Sequence, residues 1–492
     1  MKLLWGDLHN HCGISYGVGT LENALENAAV HLDFCGITGH AMWPDIYERN
    51  EDTAFIVDFH RKGFQKLLDH WPEVQRTVNS YNSSRLVTFQ TYEMHSSLYG
   101  DHHFVSPDPH FPLIYRDSPA ELIRDCGCRA IAVPHHIGYT PGYRGTNWDH
   151  FHPENSPVIE VCSKHGCAMR DHGVLPYYHD MGPLDPTHTV MEGLRQGKHF
   201  SFVGSTDHHA GFPGSYGDGL AAVWAQDKSC EAIWDALLKG HTYAVTGDRI
   251  ACRFSLNDAI MGDTIAAHSR QLLFSAEGDA PIEWMTIRKN GKILATSHSD
   301  DTLRFSPSNR YKLRIEMGWS QSPERFRWEG NLRIDGGEII RVQPYLRGMN
   351  VLSPHDKESG GAEVNMPVHH YSFCSEQADF TTETVRNQST LHPQTNAFLF
   401  EFHAAPDAVI TICINGQQRT MRLKELLSCG YSAHVKPWHS HAYKVHTALC
   451  AEACEASIEW KDLPGQEEDL YWAEAVQSNG CRAFVSPIWV RS

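Results

Sequence analysis

The chain has 492 residues, of which 41% are hydrophobic and 21% are charged, and its formal net charge is −17. This length predicts two or three domains, and the composition is typical of a soluble globular protein. The negative charge argues against nucleic acid or an anionic membrane surface as a partner, and the lack of an apolar run of about 18 residues argues against a membrane-spanning helix. The first residues lack the apolar stretch of a signal peptide, so we expect the 14 Cys to be reduced and the location to be cytoplasmic.

Short apolar strands alternate with helical segments in residues 1–250. The strands are expected at residues 3–5, 34–38, 85–91, 129–133, 157–161 and 200–203. The helices are expected from Thr20 as an N-cap, over residues 52–78, from Pro119 in a first turn, and over residues 187–197 and 229–240. This alternation predicts an α/β fold with a parallel sheet. Polar residues at the ends of these strands indicate a barrel, because barrel active sites lie at that face.

Beyond about residue 248 the hydrophobic pattern changes from helical spacing to alternation with a period of two. Three pairs of alternating runs flank an Asn-Gly turn, which is typical of β-hairpins, at Asn290-Gly291, Asn415-Gly416 and Asn479-Gly480. This half therefore resembles a β-sandwich, in one or two small modules. We predict a division into residues 1–248 and 249–492, with a polar loop at residues 353–364.

His and acidic residues follow the predicted strands of the first half. Residues two apart on a strand point the same way, so His9 and His11 can aim two imidazoles at one metal ion. One such pair is weak evidence in a chain with 33 His, but two thirds of these His lie in residues 1–250. The full set of candidate metal ligands is His9, His11, His40, Glu93, His103, His135, Asp207 and His209. Imidazoles and carboxylates together suit zinc, manganese or iron.

Eight ligands are too many for one ion, and a carboxylate between several His is the usual bridge of a two-metal site. Such a site polarises a phosphoryl or carbonyl oxygen and lowers the pKa of bound water, so hydroxide serves as the nucleophile and no Ser or Cys nucleophile is needed. We expect Glu93, Asp207 and His209 to take part in catalysis.

The ordered set resembles the metal motifs of the polymerase-and-histidinol-phosphatase (PHP) superfamily over residues 1–250. The matching residues are Asp7-Leu-His9-x-His11, Ile37-Thr38-x-His40, Glu93, His103, His135 and Asp207-x-His209. The later half is similar to the β-rich extension of an uncharacterised branch, on Trp472 and Ser486-Pro-Ile-Trp-Val490. The resemblance implies a distorted (β/α)7 barrel with up to three divalent ions, followed by a β-sandwich-like C-terminal region.

The resemblance also implies how the ligands are shared among the ions. His9, His11, Glu93 and Asp207 would hold the first ion, Glu93, His103 and His135 the second, and His40 and His209 would contribute to the third. Cys12 stands where the family usually has Thr, and Gly39 where it usually has Asp, so the third site is expected to lack a ligand. Three choices between neighbours stay open: His102 for His103, His136 for His135, and His208 for His209.

Four further residues are candidates to bind an anionic substrate group: Lys164, His165, Arg144 and Arg170. The alternative for each is an ordinary surface charge. Asp7 is expected either to orient an imidazole or to cap a loop, and His95 is expected not to be a ligand. Glu160 follows a strand and is a candidate to face the pocket.

We therefore expect a metal-dependent hydrolase, with phosphoesters of small molecules as the favoured substrates. One alternative is an amidohydrolase-type enzyme that cleaves C–N, ester or lactone bonds, although that class usually bridges its metals with a carboxylated Lys rather than a Glu. A second alternative is a non-catalytic binding protein that contains metal. Homo-oligomerisation is left open.

Overall fold

The computed structural model describes residues 1–173, 184–351, 364–387 and 393–492. The predicted polar loop at residues 353–364 lies almost wholly outside the described residues. The described chain is mostly β-sheet, and helices hold 17% of it. Within these ranges, no helix is both long enough and apolar enough to cross a membrane.

The first half contains eleven strands and five α-helices among its described residues. In chain order they are β1 (Lys2–Asp7), α1 (Leu21–His31), β2 (Phe34–Gly36), β3 (Gly39–Met42), α2 (Ala54–Tyr81), β4 (Val87–Met94), β5 (His102–Ser106), α3 (Pro119–Asp125), β6 (Ile131–Pro134), β7 (Val158–Ser163), β8 (Gly166–Cys167), α4 (Val190–Arg195), β9 (Ser201–Gly204), β10 (Leu220–Ala225), α5 (Cys230–Lys239) and β11 (Thr242–Val245). Short 3-10 turns lie at Trp148–His150 and Pro186–His188.

Side-chain caps begin three of the first-half helices, α1, α3 and α5, and that of α1 is the predicted N-cap Thr20. The Thr20 hydroxyl accepts a hydrogen bond from the N–H of Asn23 at the start of α1. Ser118 caps α3, directly before Pro119. Ser229 caps α5, which ends at Gly240 with a left-handed φ of 68°. Each cap satisfies a backbone N–H that has no partner within the helix, and this local chemistry is readable from sequence.

The first-half strands are only partly parallel. β1 pairs parallel with β2 and β2 parallel with β4, and β7 pairs parallel with β9. The expectation of a parallel sheet is wrong at β10, which runs antiparallel to both β1 and β11. It is also wrong at β5, which runs antiparallel to both β4 and β6. The segment between β4 and β5 is short and contains no helix, and only an antiparallel return can be made without a long crossover.

The second half is built from strands and one short α-helix among its described residues. In chain order they are β12 (Ala251–Leu256), β13 (Ala259–Ile260), β14 (Thr264–Ala266), β15 (Arg270–Glu277), β16 (Ile282–Lys289), β17 (Lys292–Ser297), β18 (Arg310–Gly318), β19 (Phe326–Tyr345), β20 (His370–Phe373), β21 (Gln377–Thr384), β22 (Thr395–Ile414), β23 (Gln417–Arg422), α6 (Leu423–Leu426), β24 (Tyr431–Lys436), β25 (His441–Val445), β26 (Leu449–Cys450), β27 (Glu455–Asp462), β28 (Glu468–Gln477) and β29 (Arg482–Arg491). Short 3-10 turns lie at Pro437–His439 and Ala451–Cys454.

All three predicted Asn-Gly hairpins are confirmed. β16 pairs with β17, β22 with β23, and β28 with β29, each antiparallel. Asn290 and Gly291 have φ of 50° and 81°, and Asn415 and Gly416 have φ of 46° and 80°. Two consecutive left-handed residues make the turn whose twist matches the flanking strands, which is why Asn-Gly is favoured there.

The second half joins the first through one continuous sheet. β29 pairs antiparallel with β11, so that Val485 lies opposite Tyr243. The sheet of β13, β12, β15 and β27 shares a hydrophobic core with this large sheet. The nine-stranded sheet around β19 and β22 has a second core, which includes Trp328 and Phe400. The β-rich region thus has one part fused to the first-half sheet and another with its own core.

We expect trypsin to leave the bond after Arg249 intact in the native protein. The Arg249 guanidinium donates to the carbonyl of His31, and the neighbouring Asp248 is fully buried and bonded to Arg314 and Gln477. A protease needs an exposed, flexible segment, so this segment should be cut only after unfolding. Mass spectrometry of the digest checks this, and early fragments ending at Arg249 would instead reveal an open linker between two independent units.

Candidate metal centre

The eight predicted ligands come from separate elements and meet at one edge of the first-half strands. His9 and His11 follow β1, His40 lies in β3, Glu93 in β4 and His103 in β5, His135 follows β6, and Asp207 and His209 follow β9. β1, β2 and β4 run parallel, so their carboxyl ends lie at the same edge. A parallel bridge between Asn10 and His208 brings the segment after β9 alongside the segment after β1. His209 is partly exposed and the other seven are buried.

His9 and His11 present their Nε2 atoms to the same place, 3.1 Å apart. The Nδ1 of His9 donates to Glu160 at 2.9 Å, and the Nδ1 of His11 donates to the Thr38 carbonyl at 2.8 Å. These bonds orient the rings and leave Nε2 to face Asp207 Oδ1, at 3.5 Å from His9 and 2.9 Å from His11. Burial acts to lower the pKa of His9, but Asp207 and Glu160 raise it well above its usual range.

Glu93, His103 and His135 form a second group. His135 Nε2 lies 3.1 Å from Glu93 Oε1. The ring of His103 stacks on His9 with centroids 4.5 Å apart and lies 5.6 Å from His135. Both ring nitrogens of His103 are buried and, within the described chain, have no hydrogen-bond partner. A buried imidazole without a partner is costly unless a ligand satisfies it, and a metal ion is such a ligand.

His40 and His209 form a third group with His11. The ring of His11 lies 3.9 Å from that of His40 and 4.3 Å from that of His209. One ligand atom from each of the three lies within 4.8 Å of the others. His209 faces this group, whereas the neighbouring His208 accepts a hydrogen bond from the Ala210 N–H at its Nδ1. The structure thus adds His11 to the two residues named from sequence.

The electrostatics of the centre favour the metal-binding protonation states at three imidazoles and at Glu93, whereas the raised pKa of His9 favours its protonated form. Burial and the neighbouring imidazoles lower the pKa of His40 and His103 well below the usual range. Burial lowers the pKa of His135 to about 3. Burial acts to raise the pKa of Glu93, but the nearby imidazoles, His95 first among them, hold it well below its usual range. Neutral imidazole and ionised carboxylate are the forms that coordinate divalent ions, so these donors fit a metal centre.

His103 faces the centre and its neighbour His102 does not. The two residues are adjacent in β5, so their side chains point to opposite faces. His102 Nδ1 donates to the Gly100 carbonyl at 2.9 Å. The structure therefore places His103 with the other predicted ligands.

Both His135 and His136 reach the centre. His136 Nε2 lies 3.1 Å from Asp207 Oδ2, while His135 faces Glu93. His136 and Asp207 have positive φ, 53° and 50°. Such backbone is unfavourable for residues with a side chain and collects at functional sites, where the surrounding structure enforces it.

Sequence reasoning overlooked some members of the centre. Asp101 is fully buried and lies 2.9 Å from His95 Nδ1, and it also pairs with His136 and Arg144. His95 Nδ1 lies 3.2 Å from Glu93 Oε1, so this buried imidazole contacts a predicted ligand, and whether it binds a metal itself is untested. Glu93 and His95 are two residues apart, like His9 and His11. This spacing is the sequence signal that His95 points to the same side as Glu93.

Lys164 and His165 lie at the exposed side of the centre. His165 Nε2 is 3.1 Å from Asp207 Oδ2, and its side chain is 15% exposed. Lys164 Nζ donates to Asn350 at 2.9 Å, a residue of the second half of the chain. An anionic group entering from solvent would meet the Lys164 ammonium and the His165 imidazole before the buried ligands.

The two arginines named from sequence lie in different places. Arg144 lies within the centre, where its Nε donates to Asp101 at 2.7 Å and its guanidinium lies over the Trp43 ring at 5.5 Å. Arg170 instead forms an ion pair with Glu474 of β28 and lies over the Trp472 ring. Arg170 therefore lies apart from the predicted metal ligands, and the binding of an anionic group by either arginine stays a prediction.

We expect purified protein to hold two tightly bound ions and a third that is labile. His11 Nε2 faces both Asp207 of the first site and the third group of imidazoles. One ring nitrogen binds one ion, so an ion in the first site leaves the third site without His11 as a ligand. A site with fewer ligands loses orders of magnitude in affinity. Elemental analysis after extensive dialysis, with anomalous diffraction to locate the ions, measures this. Three fully occupied sites after dialysis would contradict it.

Comparisons with known proteins match parts of the chain. A family model described as a protein of unknown function (DUF3604) matches residues 209–272. An uncharacterised protein of Chlamydia trachomatis is 29% identical over 174 residues, which is 32% of this chain and 28% of that protein. An uncharacterised protein of Chlamydia pneumoniae is 24% identical over 268 residues, which is 47% of this chain and 41% of that protein. The chain thus spans less than half the length of these curated relatives.

Among solved structures, the chain is similar to a two-domain protein of Bacteroides vulgatus that contains a predicted PHP-like metal-dependent phosphoesterase. The identity is 14% and the TM-score 0.33, and the match covers 58% of this chain and 79% of that chain. The chain is similar over part of its length to each of these proteins.

Proposed function

We propose that the protein is a metal-dependent phosphoesterase that acts on a small molecule at a centre of two or three divalent ions, with zinc, manganese or iron as the candidates. The observation that carries this proposal is the buried imidazole of His103, which has no protein partner in the described chain and lies beside Glu93 and His135. An imidazole that served packing alone would leave two buried polar nitrogens unsatisfied.

The position of Glu93 supports a bridging role. Its Oε1 lies 3.1 Å from His135 Nε2, on the side of the second group. Its Oε2 lies 3.6 Å from His9, 3.5 Å from His11 and 3.4 Å from His40. The two oxygens of one carboxylate thus face different groups of imidazoles, as a bridge between two ions requires.

Bound divalent ions would lower the pKa of a water molecule and neutralise charge on a phosphoryl group. The protein's own residues would orient the metal ligands and would hold and donate protons. Asp207 Oδ2 lies 3.1 Å from both His136 and His165, so the carboxylate can hold a proton on either imidazole. His165 is the more exposed of the two and is suited to protonate a leaving group. Lys164 would attract the anionic substrate.

We also propose a distorted (β/α)7 barrel for residues 1–248, followed by the β-rich region 249–492. The row β1, β2, β4, β5 and β6 and the pair β7 and β9 would form its wall. The parallel bridge between Asn10 and His208 supports closure, because it links the segments that follow β1 and β9.

A metal-loaded activity screen tests the proposed function. Phosphomonoesters, phosphodiesters, lactones and amides should be compared at equal metal occupancy, and the chelated protein serves as the blank. Turnover of a phosphoester is expected. Turnover of lactones or amides alone would favour an amidohydrolase-type reaction, and full metal occupancy without any turnover would favour a non-catalytic binding protein.

A further inference from the structure

A cavity of about 430 Å³ lies away from the predicted metal ligands, on the face of β16, β28 and β29 and beside the segment after β8. We call it the arginine pocket, and its main lining residues are Arg170, Trp284, Glu474, Arg482 and Phe484. None of the eight predicted metal ligands lines it. Strand pairing explains its composition, because Glu474 is opposite Phe484 in β29 and side chains alternate between the two faces of the sheet.

The charges at the arginine pocket do not balance. Glu474 has 0% of its side chain exposed and accepts hydrogen bonds from both Arg170 and Arg482, the latter at 2.8 Å. Arg288 lies beside them without an acidic partner, and in the described chain Glu474 is the one acidic side chain paired with any of these arginines. Burial lowers the pKa of Arg288, and repulsion from Arg170 lowers it further. In the described chain, two guanidinium groups therefore share one carboxylate, and a third lies beside them.

Hydrogen-bond donors around the arginine pocket also lack acceptors. The Nε of Arg288, the Nε of Arg482 and the indole Nε1 of Trp472 are buried and bond to no acceptor in the described part of the chain. Trp472 is fully buried, and the guanidinium groups of Arg170 and Arg288 lie 5.8 and 5.4 Å from its ring centre. Buried donors without acceptors are costly, so this arrangement favours a ligand that supplies oxygen atoms and negative charge.

We propose that the arginine pocket binds the phosphate group of a small phosphorylated molecule. Arg170 and Arg482 line the pocket and share Glu474, which leaves one surplus positive charge, and Arg288 beside them adds a second. Two such charges match a dianionic phosphate, and each planar guanidinium group can bind two phosphate oxygens. Trp284, Phe484 and Met169 line the same cavity and would contact an apolar or aromatic part of the molecule. This site is separate from the metal centre and does not rest on the function proposed above.

Titration calorimetry of the full-length, chelator-treated protein tests the proposal. The probes are inorganic phosphate and phenylphosphonate, which has no ester bond to hydrolyse. One phenylphosphonate per chain is expected to bind, more tightly than phosphate. Arg170→Gln and Arg482→Gln should each weaken binding at least about tenfold, because each removes a charge-assisted bond. Each variant leaves Glu474 paired with the other arginine, so the fold should survive, as thermal unfolding will check.

Two controls separate an anion site from a structural role. Arg327→Gln alters an exposed pair with Glu329 and should not change binding. Glu474→Gln should tighten binding, because it frees both arginines, and a purely structural pair predicts no such gain. Unchanged affinity in Arg170→Gln and Arg482→Gln would overturn the proposal. Binding that requires metal and disappears in Glu93→Gln would place the anion at the metal centre and would also overturn it.

Discussion

Glu93→Gln is expected to lower the metal content, and to reduce the affinity for metal and the rate of hydrolysis by at least about a hundredfold. Residues that merely orient a metal ligand change affinity or activity by about 10–100-fold, and a carboxylate that faces both groups of imidazoles should matter more. Gln has the same shape as Glu but cannot supply two charged oxygens. The imidazoles of His9, His11 and His40 would then face an uncharged group.

The measurement combines elemental analysis with initial rates on the best substrate of the screen. Glu316→Gln is the matched control, because Glu316 also pairs with an imidazole, that of His446 at 2.9 Å, but lies in β18. Its metal content and rate should equal those of the unmodified protein. Circular dichroism should show that both variants are folded. If Glu93→Gln kept two ions and near-native turnover, the bridging role would be wrong.

Arg270→Met is expected to lower the free energy of unfolding by about 3–5 kcal/mol, the typical effect of breaking a buried ion pair from one side. Arg270 is 1% exposed and donates to Asp469, to the Tyr471 hydroxyl at 2.7 Å and to the Ala267 carbonyl at 3.1 Å. Its removal leaves a buried carboxylate without its main cation. The pair also links β15 to β28, so the loss should weaken the contact between the two sheets.

Urea unfolding, followed by tryptophan fluorescence and circular dichroism, measures the effect of this substitution. Arg327→Met is the control, because its side chain is 61% exposed and pairs with an exposed Glu329. Exposed pairs contribute little, so the control should change the free energy of unfolding by less than about 1 kcal/mol. Equal stability of Arg270→Met and the unmodified protein would show that the buried pair is not needed.

The same pair predicts how stability depends on pH. Burial acts to raise the pKa of Asp469, but hydrogen bonds from the Gly465 N–H, Arg270 and Asn290 lower it to about 2, from an ordinary 3.8. A lowered pKa in the folded state stabilises the protein above the ordinary value, and this contribution is lost as the pH falls through about 2. The difference in stability between Arg270→Met and the unmodified protein should therefore shrink in acid.

Local features of this protein were readable from its sequence. The caps at Thr20, Ser118 and Ser229 and the Asn-Gly hairpins depend on residues that are neighbours in the chain, and the structure contains each of them. The positions of His and acidic residues after the strands were equally visible. Their assignment as metal ligands remains a prediction. The structure supports it by placing these residues close together.

Tertiary structure decided which of these residues meet and in what direction. The antiparallel course of β5 and the membership of Asp101 and Glu160 in the centre depend on pairing between distant segments, and periodicity specifies only which face a side chain takes. Arg170 pairs with Glu474, 304 residues away, rather than with the metal centre's residues. A sequence pattern holds no information on such a partner, because the segment after β8 and strand β28 become neighbours only when the C-terminal hairpin returns to the first-half sheet.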